Sequence, residues 1–201
     1  AFRGEIFFCK LLSPEKTRAA LAQIEAIRDG SVYPILCTPD CAYYQDDVQP
    51  FVSYVEASYL NTAHRLFSDI LKKTGVCKIA VYDAMGPENN SMKILPQKLE
   101  GLRVIQSGAD WLDISAEGVN KGVALGFVQK KFGFLRSECA AFGDHMNDYE
   151  MLLACEHSYV TENAFDGLKK LIGKTIPSND DGGVLHALKK ILSNAFSKKK
   201  K

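Results

Sequence analysis

The stretch Cys139-Ala140-Ala141-Phe142-Gly143-Asp144-His145-Met146-Asn147-Asp148 decides the fold of this chain. Its first four residues form a short apolar run, which predicts a buried strand, and residues 147–154 predict a helix. A short apolar strand that leads directly into a helix is typical of α/β proteins with a parallel sheet. Ligands of such sheets bind at the carboxyl ends of the strands, which is where Gly143–Asp148 lies.

The rest of the second half of the chain continues this alternation of strands and helices. Asn120 is placed to cap a helix that ends at Gly133. In the segments that follow, short apolar runs typical of strands alternate with stretches of helical spacing. We therefore expect a parallel sheet covered by helices. The predicted elements are a helix over 120–132, a strand over 158–161, a helix over 163–172, a strand over 174–176 and a helix over 182–194.

The first half shows a different order of predicted helices and strands, which indicates a mixed α/β domain. Ser13-Pro14 is typical of a helix start, and Asp29-Gly30 of its end. Residues 38–60 are rich in turn residues and aromatic residues and give no clear prediction, and the residues around Gly86-Pro87 predict a loop. The predicted elements are helices over 14–29 and 62–74, strands over 32–37 and 76–82, and a hairpin of strands over 102–106 and 111–115.

The composition excludes several classes of protein. The 201 residues are 46% hydrophobic and 24% charged, which allows a buried core and excludes a disordered chain. No apolar run approaches the roughly 20 residues that cross a bilayer, so we expect no membrane partner. With a net charge of +1 and its only basic run at Lys198–Lys201, the chain lacks the basic face that nucleic acid requires. The six cysteines show no CxxC spacing, which favours reduced thiols and a cytoplasmic location over a disulfide framework or a zinc site.

The acidic loop after residue 142 is the first candidate site. Asp144 and Asp148 supply hard oxygen ligands, which suit Mg²⁺ because this ion takes one or two carboxylates and fills its other positions with water and phosphate oxygens. Asp144 is the better inner ligand, whereas Asp148 could bind the ion, hold a metal-bound water or orient a lysine. Asp and Asn are also ordinary helix caps, so the loop alone leaves capping open.

Lys121 changes the balance between these alternatives. It stands at the start of a predicted helix, where the helix dipole disfavours a cation, so a bound phosphate is one reason for its position. Its ammonium could stabilise the charge that develops during phosphoryl transfer. A solvated lysine remains the alternative for this residue taken alone.

Together these motifs resemble the haloacid dehalogenase superfamily, and within it the Cof-like phosphatases with a large α/β cap inserted into a Rossmann-like core. Residues 112–125 resemble the segment that leads from cap to core and carries the motif III lysine, and residues 143–152 match the motif GDxxNDxxML. Asn163-Ala164 is similar to a further family step, and residues 178–184 to the SNxxDGV ending, with Gly182 where the family has Asp.

The resemblance implies a function and an assignment of residues. It implies a Mg²⁺-dependent phosphatase that acts on a small phosphorylated metabolite, which by the resemblance would be a sugar phosphate, through an aspartyl-phosphate intermediate. Lys121 would contact the phosphoryl group, Asp144 and Asp148 would hold the metal, and Asn163 would bind substrate. Asn147 would bind substrate or help hold the metal's surroundings. His145 is expected to be an exposed loop residue, and Asn163 could instead be a helix cap. The domains would be a core remnant over 1–9, a cap over 10–115 and the core over 116–201.

One departure from the family concerns the nucleophile. The Asp-x-Asp-Gly-Thr motif that carries the nucleophilic and acid/base aspartates does not occur in these 201 residues, and residues 4–8 resemble the stretch just before the cap. We therefore expect the nucleophile to lie upstream, in a segment that would also be a partner of this chain, and we expect the chain alone to be inactive. The alternatives are a pseudo-phosphatase or phospho-ligand-binding module and, less well matched to the first half, a receiver-like domain.

Overall fold

The structure is a computed structural model that describes residue 6 and residues 8–198. The chain divides into two compact units, Ala1–Val119 and Asn120–Lys201. The predicted division after residue 115 falls four residues earlier, inside the last strand of the first unit. Residues 4–8 resemble the stretch just before the cap, and of these the structure describes only residues 6 and 8.

The first unit is built on a six-stranded mixed sheet with helices on both faces. Its strand order is β3-β2-β1-β4-β6-β5, in which only β2 and β3 are parallel neighbours. The elements are α1 (Pro14–Ala26), β1 (Val32–Cys37), β2 (Ala42–Tyr44), α2 (Phe51–Ser58), β3 (Thr62–His64), α3 (Phe67–Lys73), β4 (Lys78–Asp83), α4 (Ser91–Lys98), β5 (Leu102–Gln106) and β6 (Trp111–Ala116).

Alternation along the strands separates two apolar cores, because successive side chains point to opposite faces of a sheet. On one face, Leu36 of β1 and Ile79 of β4 pack into a cluster with residues of α1, α3 and α4. On the other, Ile35 and Ala80 pack with Phe51 and Val55 of α2. All six residues of β1 are buried, which explains why this strand reads as one continuous apolar run.

Most elements predicted in this unit are confirmed. Pro14 opens α1 with the Ser13 hydroxyl accepting from the Lys16 amide at 3.2 Å, and the strands β1, β5 and β6 lie where the sequence predicts them. The predicted helix over 62–74 is wrong in its first half. Residues 62–64 form β3 against β2, and Leu66, whose spacing from Ala63 and Ile70 would place it on the apolar face of the predicted helix, is 63% exposed.

The predicted loop after residue 83 contains a helix that the sequence analysis missed. The side chain of Asp83 is fully buried and accepts from the Ser91 amide at 3.0 Å and from the Met85 amide at 3.1 Å. This carboxylate satisfies an otherwise unpaired amide at the start of α4. The cap comes from eight residues upstream, outside the sequence window in which a helix start is normally sought.

The second unit contains a three-stranded parallel sheet in the order β7 (Ala140–Gly143), β8 (His157–Thr161), β9 (Thr175–Ile176), which confirms the predicted parallel core. Helices alternate with its strands along the chain, and Leu152, Val160 and Leu168 form its buried centre. Its elements are α5 (Lys121–Phe132), β7 (Ala140–Gly143), α6 (Tyr149–Leu153), β8 (His157–Thr161), α7 (Asp166–Ile172), β9 (Thr175–Ile176) and α8 (Gly183–Lys198).

Two helix starts differ from the prediction in this unit. Residues 146–148 form a single 3₁₀ turn before α6, and α7 begins at Asp166 rather than at Asn163. Helix α5 runs as predicted from the Asn120 cap to Gly133, which adopts a left-handed conformation with φ 71°. Within residues 8–198, no helix has both the length and the apolar character that a membrane span requires.

Candidate active site

The candidate site lies at the carboxyl edge of the second unit's sheet. Strand β7 ends at Gly143, so that Asp144 is the first residue beyond the sheet. The three parallel strands end on the same edge, which brings the loops after Gly143, Thr161 and Ile176 to one side. The Phe165 amide donates to the carbonyl of Asp144 at 2.8 Å and ties two of these loops together.

The centre of the site is an ion pair between Lys121 and Asp148. The Lys121 ammonium donates to Oδ1 of Asp148, whose side chain is only 6% exposed, whereas that of Lys121 is 50% exposed. Oδ2 of Asp148 accepts from the backbone amide of Asp144 at 3.1 Å. Both oxygens of the buried carboxylate are therefore held, and one of its partners is a cation that still reaches solvent.

Two glycines make this arrangement possible. A Cβ at Gly143 would lie 2.6 Å from Cβ and 2.9 Å from Oδ2 of Asp148, closer than van der Waals contact allows. A Cβ at Gly122 would lie 2.5 Å from the carbonyl oxygen of Glu150, so the absence of a side chain lets the start of α5 approach residue 150 closely. The first glycine leaves room for the Asp148 carboxylate, and the second sets the position from which Lys121 reaches it.

The two carboxylates of the loop differ in their surroundings. Asp148 is buried and doubly hydrogen-bonded, whereas the side chain of Asp144 is exposed at the sheet edge. Of the three roles that the sequence leaves open for Asp148, the geometry shows the contact that orients Lys121. Its role as a metal ligand remains a prediction, as does that of Asp144.

The predicted substrate-binding residues occupy two different places. Asn147 is half-buried in the turn between Asp144 and Asp148. Asn163 is exposed, and its Oδ1 accepts from the Ser178 hydroxyl and from the Asn179 amide, both at 3.2 Å. Asn163 is thus not the cap of α7, whose N-cap residue is Phe165, but joins the loops that follow β8 and β9.

The residues present fit a magnesium ion. The loop after β7 offers oxygens of two carboxylates and of one carboxamide, those of Asp144, Asp148 and Asn147, and Mg²⁺ typically takes one or two carboxylates from a protein. Over the described part of the chain, no group of three or more His, Cys, Asp or Glu side chains is placed to hold a metal ion. The exposed Asp144 would be the first ligand, and Asp148 the second or the holder of a metal-bound water.

Several residues that shape the site escaped the sequence analysis. Gly122 and Gly143 were not assigned a positioning role, because a glycine at a helix start or a strand end shows its neighbours only in three dimensions. Ser178 was noted only as part of the ending motif, and its contact with Asn163 spans 15 residues. The hydroxyl of Thr161, buried at the end of β8, has no hydrogen-bond partner among the described residues.

Comparisons with known proteins agree with this geometry. Residues 2–188 match the family model described as haloacid dehalogenase-like hydrolase. The HMP-PP phosphatase of Yersinia enterocolitica is 34% identical over 130 residues, which cover 63% of this chain and 47% of that protein. The chain spans about half the length of the curated relatives it matches.

Two solved structures share the fold. A HAD/COF-like hydrolase from Plasmodium vivax superposes with a TM-score of 0.80 at 17% identity, over 94% of this chain and 68% of that one. The HAD subclass IIB sugar phosphatase BT4131 superposes with a TM-score of 0.73 at 19% identity, over 94% and 70% of the two chains. At these identities the two likenesses concern the fold alone. With the family match over residues 2–188 and the motifs on the sheet edge, the chain belongs to the Cof-like haloacid dehalogenase-like hydrolases.

Proposed function

We propose that the complete protein is a Mg²⁺-dependent phosphatase acting on a small phosphorylated metabolite, and that this chain supplies its metal-binding and phosphate-binding groups. The observation that carries the proposal is the Lys121–Asp148 pair, in which a buried carboxylate holds a half-exposed ammonium beside the exposed Asp144. In this proposal residues 10–115 form the cap domain and residues 116–201 belong to the core.

Each group in the site has a distinct part in the proposed reaction. Bound Mg²⁺ would supply positive charge at the phosphoryl oxygens. Asp144 offers its carboxylate to the ion, and the Lys121 ammonium binds a phosphoryl oxygen and stabilises negative charge as it develops there. Asp148 keeps the ammonium in place, because its Oδ1 accepts from Lys121 while its Oδ2 is held by the backbone amide of Asp144. Asn147 and Asn163 would bind the substrate.

The proposed chemistry also needs a nucleophile. An aspartate would attack phosphorus and break the P–O bond to the substrate's alcohol, which would take its proton from the acid/base aspartate of the same motif. Water, deprotonated by that aspartate, would then hydrolyse the aspartyl phosphate to inorganic phosphate and the free carboxylate. The 201 residues contain no two aspartates spaced two apart, which is the arrangement that the family uses. We therefore propose that the nucleophile belongs to a part of the complete protein upstream of these residues.

A sugar phosphate is the proposed substrate class. The activities of the relatives differ, since one is an HMP-PP phosphatase and another is a phosphoglycolate phosphatase. This diversity supports a phosphorylated small molecule as the common class. Within that class, the resemblance of residues 112–125 and 143–152 to the Cof-like phosphatases favours a sugar phosphate.

A non-catalytic alternative follows from the missing aspartate pair. A pseudo-phosphatase would use the same site to bind a phosphorylated ligand without hydrolysing it. Calorimetric titration with inorganic phosphate, with and without Mg²⁺, combined with a p-nitrophenyl phosphate assay, distinguishes the two proposals. Tests of the 201-residue chain and of a longer gene product carrying an Asp-x-Asp-Gly-Thr segment should both show Mg²⁺-dependent phosphate binding.

The outcomes assign the function directly. Turnover by the longer product alone supports the phosphatase, and binding without turnover in both supports the pseudo-phosphatase. Lys121→Met should weaken phosphate binding, whereas Lys72→Met, which removes an exposed lysine of α3, should leave it unchanged. Equal phosphate affinity in wild type and Lys121→Met would contradict the proposed site.

A further inference from the structure

A small pocket in the first unit lies on the sheet face that α2 covers only in part. It has a volume of about 250 Å³ and is lined by Ser58, Tyr59, Lys78, Ser107, Trp111 and Asp113. Strand β4 contributes Lys78, strand β6 contributes Trp111 and Asp113, and the serines come from the end of α2 and from the β5–β6 turn. None of these residues takes part in the proposed phosphatase site.

The two aromatic walls of the pocket are held in place by their neighbours. The ring of Trp111 packs on that of Tyr82 with centroids 5.4 Å apart, and a Cβ at Gly108 would lie 3.3 Å from its Cδ1. The Tyr59 hydroxyl accepts from the Cys37 thiol at 3.8 Å. Burial raises the pKa of Tyr59, so this phenol stays protonated and keeps a donor. The walls are therefore formed before any ligand arrives, which lowers the entropy cost of binding.

The floor of the pocket carries one charge of each sign. Nζ of Lys78 lies 3.0 Å from Oδ1 of Asp113, and the side chains are 33% and 17% exposed. Burial lowers the pKa of Lys78, but the attraction of Asp113 outweighs it and the net shift is upward, so the lysine stays charged. The pair offers donors and acceptors with no net charge. A phosphate would meet the carboxylate of Asp113, whereas a hydroxyl, which both donates and accepts, suits the two groups together.

We propose that this pocket binds a neutral polyhydroxylated molecule of the sugar type, with its hydroxyls on Lys78 and Asp113 and its C–H face against Trp111 and Tyr59. Ser58 and Ser107 supply further hydroxyl partners at the rim. Convergent polar groups on an apolar wall are the usual composition of small-molecule sites. The inference is independent of the proposed function, because binding here is measured without phosphate, Mg²⁺ or turnover.

Trp111 is the only tryptophan in the chain, so its emission reports on this pocket. The test is a titration of the chain with D-glucose and with D-ribose, and with inorganic phosphate as the anionic probe. We expect a saturable change in tryptophan emission with at least one sugar and none with phosphate. Asp113→Asn should weaken sugar binding about tenfold or more, because a charged hydrogen-bond acceptor is lost.

Two further variants make the result decisive. Asp69→Asn removes an exposed carboxylate of α3 outside the pocket and should leave the affinity unchanged. If Asp113→Asn fails to fold, Ser58→Ala, which leaves the ion pair intact, should still weaken binding several-fold. Absence of a saturable signal with both sugars, a response to phosphate instead, or equal sugar affinity in the pocket variants would overturn the proposal.

Discussion

Gly143→Ala tests the packing on which the candidate site depends. The new Cβ would lie 2.6 Å from Cβ of Asp148, whereas carbon atoms pack best at about 3.5–4.0 Å, so a shift of about 1 Å is required. Overpacking of this kind costs about 1–3 kcal/mol. The shift also strains the 3.1 Å bond from the Asp144 amide to Oδ2 of Asp148, and a hydrogen bond to a charged group contributes about 1.5–3 kcal/mol. Because the shift weakens this hydrogen bond without removing it, we expect a combined loss of about 2–4 kcal/mol in the free energy of unfolding, below the sum of the two contributions.

The same substitution at Gly126 provides a matched control with the opposite sign. Gly126 lies inside α5, and a Cβ there meets nothing within 4 Å. Alanine in a helix interior is favoured over glycine by about 0.5–1 kcal/mol, so Gly126→Ala should stabilise the second unit. Urea unfolding followed by circular dichroism measures the free energy of unfolding of both variants. Hydrogen exchange of the β7 amides shows whether the change in stability belongs to the second unit. A Gly143→Ala protein as stable as wild type would refute the close packing of Asp148.

Three other perturbations address separate features. Lys121→Met leaves the buried Asp148 carboxylate with one donor fewer and should lower the free energy of unfolding by about 1–3 kcal/mol in a urea titration. Asp83→Ala leaves the Ser91 amide at the start of α4 unpaired and should cost about 2–4 kcal/mol, measured in the same way on the first unit. Burial, together with the Cys9 thiol 3.5 Å away, raises the pKa of Cys77 to about 12. The raised pKa of the Cys77 thiol stabilises the fold below the usual cysteine pKa of about 8.5, and this contribution is lost as pH rises toward 12. Because only the thiolate reacts, the rate of Cys77 alkylation, measured by mass spectrometry, should rise about tenfold per pH unit between about pH 8 and 10.

Local signals predicted the elements whose determinants are close in sequence. The Asn120 cap, the Gly133 stop and the apolar run before Gly143 lie within the segments they define, and α5 and β7 form there. The proximity of Lys121 and Asp148 was also foreseen as one of three alternatives. This proximity could be predicted because the start of a helix and the end of a strand both lie at the carboxyl edge of an α/β sheet.

Distant partners account for what the sequence could not predict. Residues 62–64 carry a helical apolar pattern, but pairing with β2 makes them a strand, since a tertiary contact overrides local propensity. The cap of α4 comes from Asp83, and the contact that defines Asn163 comes from Ser178. The roles of Gly122 and Gly143 depend on which atoms approach them, which no spacing rule reveals.

Titration of the 201-residue chain with Mg²⁺ in an isothermal calorimeter tests the central claim most directly. The account predicts that wild type binds the ion, that Asp144→Asn abolishes or severely weakens binding, and that Asp69→Asn leaves it unchanged. The control is matched because both substitutions remove an exposed aspartate, and Asp69 pairs only loosely with Lys72 at 3.6 Å. Equal Mg²⁺ affinity in wild type and Asp144→Asn would contradict the assignment of this sheet edge as the metal site.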